Sequence, residues 1–129
     1  MNKNTEAIAI WRARAQERPD SVAALTVLFR AEFEAGFAAC AERTARRICA
    51  LRPESADWHC THGIVLLSIG RIEDALASLK TARTFSDDPA LEALIAKAET
   101  LATEVCEAKN TAPAYALVQP IAREILEAA

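Results

Sequence analysis

Apolar positions recur three and four residues apart along most of the chain. Leu91, Leu94, Ile95, Ala98, Leu101, Ala102 and Val105 make one continuous stripe, which predicts a long terminal helix over 90–108. Ala41, Ala45, Ile48 and Cys49 make another, which predicts a helix over Ala39–Leu51. Gly36 and Gly70 fall between periodic segments, where a residue free to take positive φ can end a helix. After Gly70, the run Arg71-Ile72-Glu73-Asp74 restarts the chain with acids in a first turn, where the helix dipole favours negative charge. Lys109-Asn110-Thr111-Ala112 is a polar break. Beyond it Tyr115, Val118, Ile121, Ile125 and Leu126 fall roughly on one face of an amphipathic segment, 113–128, which Pro120 kinks or divides. Composition agrees: 29 of the 129 residues are alanine, the best helix former, while three Gly and five Pro are too few for the turns of a sandwich or barrel. The expected fold class is all-α.

The punctuation of the chain repeats. Pro19 and Pro53, Gly36 and Gly70, and Ala41 and Ala75 are each 34 residues apart, and Arg18-Pro19-Asp20-Ser21 resembles Arg52-Pro53-Glu54-Ser55. Thirty-four residues of helix–turn–helix is the period of the tetratricopeptide repeat, and the chain resembles that family. Repeat 1 spans 22–52 and repeat 2 spans 56–86. The second copy carries Trp58, Gly63, Gly70, Ala75, Leu79 and Ala82 where the family has its large, small and turn positions. The first keeps Gly36 and Ala41 but places Phe29 where a small residue is expected. Residues 5–18, with Ala7 lying 34 before Ala41, read as a partial repeat helix that caps the stack. Pro89 lies 36 residues after Pro53, which predicts a linker two residues longer before the terminal helix. The length of 129 residues fits a single domain over 1–129, and the resemblance implies a short right-handed solenoid with capping helices.

Such a stack has a concave surface built mainly from first helices. The resemblance places Ala23, Thr26, Arg30, Phe33 and Glu34 there in repeat 1, and Asp57, Cys60, Ile64, Leu67 and Ser68 in repeat 2. The partner-binding groove is therefore expected at Thr26, Arg30, Phe33, Asp57, Cys60, Ile64 and Leu67, a mixed to apolar lining suited to an extended or helical segment of another protein. A narrower likeness runs from His62 to Lys109. There Gly-Arg-Ile-Glu-Asp-Ala-Leu (70–76), Thr81-Ala82-Arg83 and Pro89-Ala90-Leu91-Glu92-Ala93-Leu94 resemble the last repeat and terminal helix of type III secretion translocator chaperones. Two functions stay open: a non-catalytic protein-interaction module of this chaperone kind, or a homo-oligomeric scaffold whose groove is closed by its own segment 113–128. A homodimer is compatible with either, because two complete repeats make a short stack with a limited core.

Charge and chemistry narrow the rest. The formal charge is −3, but residues 1–52 carry nine Lys and Arg against six Asp and Glu, and 53–129 carry six against twelve. An acidic chain in which no aromatic interleaves the arginines (Arg12, Arg14, Arg18, Arg43, Arg46, Arg47) is not expected to bind nucleic acid. No apolar run is long enough for a membrane span, and the first residues lack the pattern of a secretory leader, so a cytoplasmic protein with reduced cysteines at 40, 49, 60 and 106 is expected. His59-Cys60-Thr61-His62 is the one metal-like cluster, two histidines three apart with no designated further ligand, and it reads as packed histidine. Cys40 near a helix start is a candidate reactive thiol, whereas Cys49 lies on a buried stripe. With no phosphate loop, paired-carboxylate signature or oriented nucleophile, neither enzymatic activity nor a cofactor or metal is expected.

Overall fold

Helix ends come first in this chain, because its capping chemistry recurs. A computed structural model describes the backbone of residues 3–108 and the side chains of residues 5–104. The described residues are all-α: α1 (Lys3–Glu17), α2 (Val22–Glu34), α3 (Ala38–Leu51), α4 (Ala56–Ser68), α5 (Ile72–Phe85) and α6 (Pro89–Ala108). The predicted segment 113–128 lies outside them. They group into two compact units divided between Pro53 and Glu54.

In the first unit α2 packs against both α1 and α3. The Ser21 hydroxyl accepts from Ala24 N–H at 3.3 Å and so satisfies one of the orphan donors that open α2. The helix ends in a Schellman turn: Gly36 N–H donates to Phe33 C=O at 3.1 Å and Phe37 N–H to Glu32 C=O at 2.9 Å. Gly36 sits at φ +87°, a value that a Cβ makes costly. Leu25, Leu28, Phe29 and Phe33 of α2 are buried with Ala41, Ala45, Ile48 and Cys49 of α3 and Ile8 and Ala15 of α1. Phe29 and Phe33 stack with ring centroids 5.9 Å apart.

In the second unit α5 packs against α4 and α6, and α6 also touches α4. Ser55 caps α4 by accepting from Trp58 N–H at 3.3 Å. The Schellman bonds recur as Gly70 N–H to Leu67 C=O at 3.0 Å and Arg71 N–H to Leu66 C=O at 2.9 Å, with Gly70 at φ +82°. Every one of these positions is 34 residues beyond its counterpart, and so are both ends of α4 and α5 relative to α2 and α3. Gly63 brings the helices of this hairpin close: a Cβ there would lie 2.9 Å from Leu79 Cγ and 3.1 Å from the Ala75 carbonyl oxygen. Leu91, Ile95, Ala98 and Ala102 of α6 are buried and Leu94 and Leu101 half-buried, so the stripe on α6 points inward as far as Ala102, and the Val105 side chain lies outside the described ones.

The entry into α6 departs from the expected longer linker. Asp88 caps this helix, its Oδ1 accepting from Ala90 N–H at 3.0 Å and its carbonyl from Glu92 N–H at 3.0 Å. That cap comes three residues after the end of α5, whereas Ser55 comes four after the end of α3, so this linker is one residue shorter, not two longer. The cause is Pro89. Pro19 and Pro53 stand two residues before their serine caps, while Pro89 is the first residue of its helix, where a fixed φ and a missing N–H cost nothing.

Candidate functional site

The seven residues expected to line a groove separate into two groups. Phe33, Cys60, Ile64 and Leu67 are core, each at most 1% exposed. Arg30 and Asp57 are exposed and Thr26 is half-buried, its hydroxyl donating to the Val22 carbonyl at 2.7 Å. Of these seven, Arg30, Asp57 and in part Thr26 are left open, and Ala23 and Glu34, also placed on the first helices, are exposed as well.

The chemistry-bearing residues resolve individually. His59 and His62 are half-buried, and the His59 ring stacks on Phe85 with centroids 6.0 Å apart. Among the described residues no three His, Cys, Asp or Glu side chains gather as a ligand set. Burial pushes the Cys60 thiol up to about 12, with the Asp57 carboxylate adding to the effect, and burial alone pushes Cys49 up to about 11. Neither supplies a thiolate near neutral pH. Cys40 is half-buried and its Sγ accepts from Arg43 Nη2 at 3.3 Å. None of the three is in a disulfide. No described helix is long and apolar enough to cross a membrane.

The arginines of the first unit have dissimilar roles. Arg46 pairs with Glu42 at 3.7 Å along α3. Arg12 reaches from α1 to Glu32 on α2, Nη2 to Oε2 at 3.3 Å, while the other Glu32 oxygen accepts from Thr44 of α3 at 2.5 Å. Glu32 is only 2% exposed, so one buried carboxylate joins three helices. Pattern reading passed over Glu32 because a lone Glu between apolar residues looks like a solvated position.

A concave site opens between α1 and the start of α2. It has a volume of about 380 Å³ and is lined by Trp11, Arg14, Glu17 and Arg18 on one side and Ser21, Ala23, Ala24 and Val27 on the other. The Arg14 guanidinium lies 4.6 Å from the Trp11 ring centroid, a cation–π contact that holds the indole as a wall. Arg18 makes no ion pair with another described residue. Ala23 and Val27 are exposed, so the floor is apolar and open. Of these residues, sequence reading singled out the two arginines and Ala23, and missed that they share a cleft with Trp11.

No family model, curated protein or solved structure matches this chain. Its own geometry therefore carries the functional reading.

Proposed function

We propose that the chain is a tetratricopeptide-like repeat protein and acts as a non-catalytic module that holds a peptide or helical segment of a protein partner. The observation that supports this reading is the 34-residue recurrence of caps, Schellman turns and helix lengths in two hairpins. Repetition of a helix hairpin specifies a surface rather than a reacting centre, and repeat proteins of this build use their first helices to bind. Arg30 on α2 is an exposed cation and Asp57 on α4 an exposed anion, each able to engage a charged group of a partner.

A displayed library of random dodecapeptides, panned on the full chain, tests the reading. Enrichment of a consensus whose binding weakens about tenfold in Arg30→Glu or Asp57→Lys supports it. A folded chain that enriches no sequence overturns it.

A further inference from the structure

We propose that the cleft between α1 and α2 is a docking site for an acidic segment of a partner protein, taking a bulky apolar side chain onto its floor and an adjacent carboxylate at Arg18. The inference rests on the reading of the chain as a binding module and names one surface and one partner chemistry for it.

Three features converge on this occupant. The floor of Ala23, Ala24 and Val27 is made of small apolar groups facing the Trp11 wall, and about 380 Å³ accommodates one or two large side chains, not a folded domain. Arg18 stands at this cleft without a counter-ion among the described residues, and Arg14 beside it is held on Trp11 instead of on an acid. The surrounding unit is itself cationic, with nine Lys and Arg against six Asp and Glu in residues 1–53, so an acidic segment is attracted before it docks. The first turn of α2, which opens onto the same space, adds the positive end of a 13-residue helix. Glu17, which also lines the cleft, opposes this field and sets a limit on how acidic the occupant is.

The test is an anisotropy titration of the full chain with a fluorescein-labelled, terminally blocked dodecapeptide of alternating Asp and Leu. Its Asn/Leu and Asp/Ser counterparts serve as controls. Saturable binding of the Asp/Leu probe is expected, with both controls about tenfold weaker or more. Val27→Gln, which puts a polar group on the floor without adding charge, and the double change Arg14→Glu/Arg18→Glu each weaken the probe by a similar factor, while Glu17→Gln tightens it about twofold. Ala23→Gln, at another exposed floor position, repeats the Val27 result if the cleft is the site; circular dichroism and urea midpoints verify that each variant is folded. Equal binding by the cleft variants overturns the proposal, and so does equal binding of the Asn/Leu probe. If the chain ignores the Asp/Leu probe yet enriches a consensus from the random library, the cleft assignment fails and the binding-module reading survives. If it does neither, both fail.

Discussion

Phe29 in the first hairpin and Gly63 in the second occupy equivalent places on α2 and α4, 34 residues apart, and the positions equivalent on α3 and α5 are Ala45 and Leu79. One hairpin sets a large residue on its first helix and a small one on its second, and the other hairpin reverses the order. All four are fully buried or, for Gly63, pressed directly on Leu79. The same exchange appears with charge: Glu32 is a buried carboxylate where the second hairpin has the buried Leu66. The ends of α2 and α4, by contrast, agree bond for bond. Ends and middles obey different constraints. A Schellman turn needs one residue with positive φ, a place that Gly and occasionally Asn can take, while a core needs only that volumes sum correctly across the interface.

The largest test of this contrast is Phe29→Ala, expected to cost about 3–5 kcal/mol in urea unfolding. Trp11 and Trp58 lie one in each unit, so single-tryptophan variants follow each hairpin separately by fluorescence. Ala45→Leu alone costs about 1–3 kcal/mol by overpacking, and the double variant is expected to cost less than the sum by about 1 kcal/mol or more. Strict additivity would break the volume-exchange argument. Gly63→Ala comes next. Helix propensity alone promises a gain of about 1 kcal/mol, but the contacts at 2.9 and 3.1 Å predict a net loss of about 1–2 kcal/mol. A measured gain means that Gly63 does not set the approach of α4 and α5.

Charge gives a smaller and sharper contrast. Arg12→Ala strands a carboxylate that is 2% exposed and is expected to cost about 1–2 kcal/mol. Glu32→Leu, which copies the second hairpin, is expected to cost less than half of that, because Arg12 then turns to water and the Thr44 hydroxyl keeps the Cys40 carbonyl at 3.2 Å. If the two variants are equally damaging, the cluster contributes packing rather than charge. The smallest effect is in alkaline solution. The fold holds Cys60 neutral up to about 12 against an ordinary 9.0, so its contribution is complete below pH 9 and is lost as pH rises toward 12, at about 1.4 kcal/mol per pH unit. In urea titrations at pH 9–10, Cys60→Ala removes about 1 kcal/mol of the alkaline loss, and the slope that remains belongs to Cys49, which burial pushes up to about 11.

The parts that could be read from sequence are those whose chemistry is local. Gly36, Gly70 and the α6 stripe announce themselves through neighbours one to four residues away. Pro89 misled because proline satisfies two positions at a helix start equally well, outside the cap and just inside it, and only the hydrogen bonds of Asp88 tell them apart. Phe33, Cys60, Ile64 and Leu67 were expected to face a partner; they are buried, because helical periodicity groups residues on a face and is silent about what already covers it. On α4 seven of thirteen residues are buried, so no single stripe distinguished core from groove. The cleft at Trp11 depends on how α1 leaves α2 uncovered at Ala23 and Val27, which no periodicity encodes.

The outer helix of each unit is tied to its neighbour by one arginine and one glutamate, but the two ties respond differently to ionic strength. Arg83 to Glu99, at 2.6 Å, joins α5 to α6 with both side chains reaching solvent, 49% and 32% exposed. Arg12 to Glu32 ends on a carboxylate that solvent hardly reaches. Mobile ions screen exposed charges within about 3 Å at molar salt but penetrate little to buried ones. Concentrated salt thus weakens the tie on α6, whose buried Leu91, Ile95, Ala98 and Ala102 still hold it, and leaves the tie on α1 largely intact.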